Sequence, residues 1–307
     1  MRKMKLGSST LEVPVIAVGC MRISGLGKKE AAGFVGKALE LGANFFDHAD
    51  IYGGSACEEI FAGALADAGA ARGDVILQSK CGIVPGKMYD FSKEHIVSSV
   101  EGSLRRLRTD YLDALLLHRP DALMEPEEVA SAFDMLYRGG KVLNFGVSNH
   151  NPGQIKLLQK YIDRPIVANQ LQLSITNATM ITAGMHVNIV GDEYSVSRDD
   201  GILDFCRLND ITIQPWSPFQ YGTFEGVFIN NPKFPELNAK ITDMAHKYGV
   251  SETTIIIAWL LRHPAKMQPV TGTMNEGRLA DCAAAAEVAL SREDWYALLL
   301  SAGSNLP

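Results

Sequence analysis

The sequence predicts an α/β fold, a (β/α)8 barrel of the TIM type with an N-terminal β-hairpin, and a single domain over residues 1–307. Three observations predict it. Short apolar segments begin near residues 15, 44, 75, 111, 144, 166, 211 and 268, and nearly every gap between them holds a helix-length stretch. Apolar strands that alternate with helices are buried on both faces and run parallel. Eight such units in 307 residues fit a closed barrel better than an open sheet, and no low-complexity linker divides the chain.

Each element has its own signal. Leu6–Val13 reads as two short strands around a polar turn, and Val15–Val18 as the first buried strand. Lys29 to Leu41 sets Phe34, Val35, Ala38, Leu39 and Leu41 on one helical face, with Gly42 where a C-cap belongs. Strand Asn44–Asp47 and helix Glu58–Ala68 follow, then strand Asp74–Ser79. Ser92 caps a helix whose core face is Ile96, Val100, Leu104 and Leu107. Strand Tyr111–His118 leads to helix Pro126–Arg138, which has Pro in its first turn and Gly139-Gly140 at its exit. Strand Asn144–Asn149, a helix near Gln154 to Lys160, and strands Ile166–Leu171, Ile211–Trp216 and Met267–Thr271 complete the set. His186 to Asp200 and Phe219 to Pro235 read as long rim loops.

Composition narrows the function. A net charge of −6 and a pI near 5.7 argue against nucleic acid or an anionic membrane as the main partner, leaving a small molecule. The longest apolar run, Ile255–Leu261, is too short to span a bilayer, and the first residues lack the apolar core of a signal peptide. Five scattered cysteines with no Cys-x-x-Cys suit reduced thiols in a cytoplasm.

The usual dinucleotide fingerprint is missing. Gly25-Leu-Gly27 follows a strand, but Glu30 stands where the third glycine belongs. Gly82 to Lys87 is one residue short of a phosphate loop and lacks its Ser/Thr. No His-Glu-x-x-His occurs, and a metal site from Asp47, His48, Asp50, His118 and Asp121 would require several of them to converge.

A stronger constellation lies at the strand ends. Asp47 and Tyr52 follow the second strand, Lys80 the third and His118 the fourth, and a parallel barrel sets these ends side by side on one rim. Taken singly, they read as a solvated acid, a packed aromatic, a surface lysine and a turn histidine. Together they suit the protonation of a carbonyl oxygen. Unperturbed tyrosine, with a pKa of about 10, is too weak an acid near neutrality. A neighbouring ammonium is expected to lower that value, a carboxylate to hold the ammonium charged, and the imidazole to orient the oxygen.

Asn44–Gly53, Leu77-Gln-Ser-Lys80 and Ser103–His118 resemble the aldo-keto reductase family, as do Gly146–Asn149, Asn169-Gln170, Trp216-Ser-Pro218 and Ala258–Pro264. The resemblance covers nearly the whole chain, and the family's barrel without a Rossmann domain accounts for the missing fingerprint. It implies Tyr52 as general acid, Lys80 and Asp47 as the pair that tunes it, and His118 as the orienting group. It places Ser148, Asn149 and Gln170 at the nicotinamide carboxamide and the Trp216 ring against the nicotinamide. Further cofactor contacts are implied for Gly19, Met21, Arg22, Asp47, Ser217, Pro218 and Phe219. At the adenosine end they are Gly272, Thr273, Met274, Arg278 and Asp281.

Many members carry Lys at the position of Gly272 and Asn at that of Cys282, and both are absent here. Arg278 remains to meet a 2′-phosphate, which favours NADP(H) while leaving NAD(H) open. Met21, Arg22, Tyr89, His150, Tyr221 and Phe224 sit on loops and are candidates for the substrate pocket. The implied activity is NADPH-dependent reduction of an aldehyde or ketone to an alcohol, with no metal. Its alternative is a nucleotide-sensing or regulatory subunit on the same fold, like the potassium-channel β subunits that this family resembles.

Overall fold

The computed structural model describes residues 1–306. Eight parallel strands form one sheet: β1 (Ala17–Gly19), β2 (Phe45–Asp47), β3 (Ile76–Cys81), β4 (Ala114–Leu117), β5 (Phe145–Ser148), β6 (Ile166–Gln172), β7 (Thr212–Trp216) and β8 (Val270–Thr271). Their order is β7-β6-β5-β4-β3-β2-β1-β8, so neighbours in sequence are neighbours in space except where β8 returns to β1. At the remaining seam the Gln268 amide donates to the Ile213 carbonyl at 3.0 Å, bringing the sheet close to a closed barrel. Helices pack outside, and the larger apolar core lies between them and the sheet.

The strand ladders explain why the site residues meet. In register, Gly19 pairs with Asp47, Asp47 with Gln78, Lys80 with Leu116, and Ser148 with Gln170. Side chains alternate between the two faces of a strand. Gln78 and Lys80 therefore turn into the barrel while Ser79 turns towards the helices.

The N-terminal hairpin pairs Lys3–Lys5 with Glu12–Pro14, set wider than the strands expected within Leu6–Val13. Leu6 and Val13 plug the barrel bottom against Phe45, Leu116, Val167 and Ala168 in a second apolar core. Gly7 makes the plug possible. Its φ is +54°, and a Cβ there would lie 2.2 Å from the Val167 carbonyl oxygen. Its amide donates to Thr212 Oγ1 at 2.7 Å.

Several expected signals take their expected roles. The Ser92 hydroxyl accepts from the His95 amide at the head of helix Lys93–Leu107. Pro126 opens helix Pro126–Arg138, and Gly42 adopts φ 72° beyond helix Lys28–Glu40. The loop after β7 carries a small antiparallel pair, Gln220–Tyr221 with Gly226–Val227. All five cysteines are free and buried. Among the described residues no helix is long and apolar enough to cross a membrane.

Candidate active site

The C-terminal strand ends open onto a cavity of about 1140 Å³, lined by residues of the strand-end loops. Lys80 lies beneath it, fully buried. Its Nζ donates to both Asp47 oxygens at 2.7 Å, to the His48 carbonyl at 2.8 Å and to the Tyr52 hydroxyl at 3.2 Å. Because the Tyr52 oxygen accepts there, its own proton is left to donate into the cavity that Tyr52 lines. The His118 ring stands 5.8 Å from the Tyr52 ring, nearly perpendicular, and lines the same cavity.

The electrostatics overturn one expectation. Burial pushes the Tyr52 phenol above its ordinary value; Lys80 pulls it down, and Asp47 pushes it up again. The expectation of a lowered value counted the ammonium alone. Asp47 neutralises that ammonium, and a buried site disfavours a phenolate. Burial works most strongly against the charge on Lys80, but Asp47 and Tyr52 together outweigh it and Lys80 ends above its usual value. Burial, then Lys80 and Arg119, hold His118 well below the ordinary histidine value, so the ring is neutral near pH 7. Its Nδ1 has no partner within the protein. A neutral imidazole still offers one N–H to an oxygen.

Asp47 is also held from the far side by side-chain amides, one of them Gln170, which the resemblance implies at the carboxamide, and the other Gln78, to which no role was given. Gln78 and Gln170 donate to its Oδ1 at 2.7 and 3.1 Å. Gln78 also donates to Gln214, Gln214 to Gln268, and Gln268 to the Pro14 carbonyl. This file of glutamines runs from the hairpin to the site inside the barrel. The available signal was position: Gln78 lies two residues before Lys80, and Gln214 two before Trp216, on the same strand faces.

Most of the expected cofactor residues come together. Gly19, Met21, Arg22, Asp47, Ser148, Asn149, Gln170, Trp216, Ser217, Pro218, Phe219, Gly272, Thr273, Met274 and Arg278 all line the cavity. Asp281 does not. It lies on helix Glu276–Ala284, and its carbonyl accepts the Thr254 hydroxyl while its neighbour Cys282 reaches the cavity instead. Asn149 and Ser217, at φ 60° and 55°, are left-handed just past their strands, the kind of local strain that collects at functional sites. Asn149 Oδ1 accepts from the Trp216 indole at 3.1 Å, and Phe224 lies 5.7 Å from that ring in a stacked arrangement.

Of the substrate-pocket candidates, Met21, Arg22 and Phe224 line the cavity. Tyr89 lies on a small exposed hairpin, His150 is buried against Phe91, and Tyr221 packs on Phe234. The metal candidates do not converge either. Asp47 is engaged by Lys80, His48 packs on Phe61, and Asp121 accepts the Phe91 and Leu123 amides. Among the described residues no three His, Cys, Asp or Glu side chains gather as a metal site.

The far end of the cavity fits a phosphate. Arg22 Nη1 donates to the Gly272 carbonyl at 3.1 Å, and a Cβ on Gly272 would lie 3.0 Å from that nitrogen. Arg22 thus brings a cation to a loop whose own lysine is missing. Arg278 Nε donates to Thr273 Oγ1 at 3.2 Å. Two guanidiniums, a hydroxyl and a roomy cavity make a donor set suited to the phosphates of a dinucleotide.

The model of the Aldo/keto reductase family matches residues 15–299. The 6-dehydroglucose reductase of Agrobacterium fabrum is 35% identical over 306 residues, covering 95% of each chain. The uncharacterized oxidoreductase YcsN of Bacillus subtilis is 35% identical over 281 residues, covering 88% of this chain and 87% of its own. The solved structure of Tm1743, a thermostable aldo-keto reductase in complex with the inhibitor epalrestat, superposes with a TM-score of 0.79 at 25% identity. That match covers 98% of this chain and 100% of the other.

Proposed function

The chain belongs to the aldo/keto reductase family and is an NAD(P)H-dependent oxidoreductase of carbonyl compounds; from that premise we propose that Tyr52 is its general acid, with NADPH as the preferred cofactor. One observation supports this reading above the others: the Tyr52 hydroxyl accepts from a buried ammonium at 3.2 Å and keeps its own proton for the cavity.

When bound, the reduced nicotinamide supplies the hydride that reaches the carbonyl carbon. The residues of the chain do the rest. Ser148, Asn149 and Gln170 would hold the carboxamide end and Trp216 would offer the ring a flat surface, which would fix the approach. Neutral His118 donates a hydrogen bond to the carbonyl oxygen and aims it at Tyr52. As negative charge develops on that oxygen, the Tyr52 Oη proton transfers to it. The phenolate left behind lies 3.2 Å from the Lys80 ammonium, which stabilises it at the moment of transfer. The raised phenol value keeps the acid form populated through neutral pH, and Lys80 acts mainly on the product of proton transfer. Arg22 and Arg278 support the preference for NADPH, since each can meet a 2′-phosphate bidentately.

The test is Tyr52→Phe. Aldehyde reduction is expected to fall by roughly 10²–10⁴-fold. The NADPH dissociation constant, read from quenching of Trp216 fluorescence, is expected to stay within about twofold, inside half a kcal/mol. Near wild-type reduction by this variant would overturn the assignment.

A further inference from the structure

The cavity carries one cation to which the proposed reaction gives no direct contact. Arg119, directly after His118, lines the cavity half-buried, with its guanidinium carbon 5.8 Å from the centre of the Trp216 ring. Among the described residues it forms no ion pair and no hydrogen bond. Every nearby acid is engaged elsewhere. Asp121, two residues on, accepts the Phe91 amide at 2.9 Å and the Leu123 amide at 2.8 Å. Asp47 is filled by Lys80, Gln78 and Gln170. Glu252, the other carboxylate lining the cavity, accepts the Thr242 hydroxyl at 2.6 Å.

A guanidinium cannot lose its charge, and leaving one half-buried without a partner is costly unless something else satisfies it. The other two arginines of the cavity are tied to the loop Gly272–Thr273, at the end that suits cofactor phosphates. Arg119 stands instead beside His118 and Trp216, where the carbonyl is to be reduced. Asp47 and Lys80 compensate each other there, so the reacting end keeps one unbalanced positive charge.

We propose that Arg119 is a specificity-determining residue that binds a carboxylate on the substrate, making the preferred substrates aldehydes or ketones that also carry a carboxylate. A single planar fork matches a monoanionic carboxylate in both charge and geometry. The inference rests on the carbonyl-reduction reading, and its test separates the two.

Two probes of the same shape serve: 4-carboxybenzaldehyde and its neutral isostere 4-carbamoylbenzaldehyde, reduced with NADPH. Wild-type protein is expected to favour the anion at least tenfold in kcat/KM, through KM. In Arg119→Gln that preference collapses at least tenfold, and Arg119→Lys restores part of it. Equal use of both probes by wild-type protein, or a preference unchanged in Arg119→Gln, overturns the proposal. A weakening of NADPH binding in Arg119→Gln at least as large as the loss of preference also overturns it, because it places the guanidinium on the cofactor. If neither aldehyde is reduced, the carbonyl-reduction reading fails, and binding alone decides the proposal. Benzoate is expected to quench Trp216 at least tenfold more tightly than benzamide in the NADP-loaded protein, and equal binding rejects the carboxylate site.

Discussion

Two neighbouring residues of β3 hold two ion pairs on opposite sides of the sheet. Lys80 points inward to Asp47, and Ser79 points outward to Glu58, which is also held by Arg106. Both carboxylates are buried. Outside the barrel the account closes: Glu58 Oε1 accepts from Ser79 at 2.7 Å, and Oε2 accepts from Arg106 at 2.8 Å. Inside, the ammonium reaches past its carboxylate to the His48 carbonyl and to a phenol at the cavity floor. Burial and pairing alone therefore do not mark a site. What distinguishes the inner pair is a third, titratable partner that meets open space.

The sharpest way to break the comparison is to remove one partner of the pair on each side. Lys80→Met is expected to lower aldehyde turnover by roughly 10²–10⁴-fold, because a phenolate would then form unaided beside Asp47. It should also cost about 3–5 kcal/mol of stability, from an unpaired buried carboxylate. Turnover that survives this change would make the inner pair as structural as the outer one. The mirror experiment is Glu58→Gln, which leaves Arg106 without its anion. Urea unfolding is expected to show a loss of about 3 kcal/mol with kcat unchanged. A fall in kcat at constant cofactor affinity would show that the outer pair also tunes the site.

A smaller effect separates the two faces by pH. His48 follows Asp47 but faces outward, its ring against Phe61 and both nitrogens without partners. Burial, then Lys80, lowers its value to about 3 from 6.5. A depressed folded-state value means that stability is fully present above pH 6.5 and is lost as the pH falls towards 3. At pH 5 this one group should cost about 2 kcal/mol relative to pH 7.5. His48→Phe is expected to remove that portion of the acid sensitivity in denaturant melts at the two pH values, and an unchanged difference would reject the assignment.

Much of this was legible in the sequence, for physical reasons. The strands could be read because burial on both faces forces continuous apolar runs such as Ala114–Leu117. The grouping of Asp47, Tyr52, Lys80 and His118 followed once parallel strands were assumed, since register then sets their ends together. The hairpin was foreseen but its strands were set too close to the turn, because Lys3–Lys5 is mostly exposed and its alternation is only three residues long. The direction of the Tyr52 shift was missed because it depends on a balance of burial against two opposite charges, which spacing does not record. Asp281 was expected at the cavity and Cys282 lines it instead: on a helix beside the cavity, a rotation of one residue decides which of the two faces it. The glutamines were overlooked because an uncharged polar residue within a strand looks the same whether it fills space or holds Asp47.

That file of glutamines also has a sense of travel. An amide has distinct donor and acceptor ends, so each member must point its NH2 at an oxygen of the next, as Gln268 does at Pro14 and Gln214 at Gln268. Turning one member round would set like ends against each other all along the row. A main-chain carbonyl at the closed end of the barrel and the acceptor-only carboxylate of Asp47 at the other thus fix the row between them, with Gln78 and Gln214 exchanging hydrogen bonds in its middle. Since amides do not titrate, this instruction reads the same in acid and in alkali.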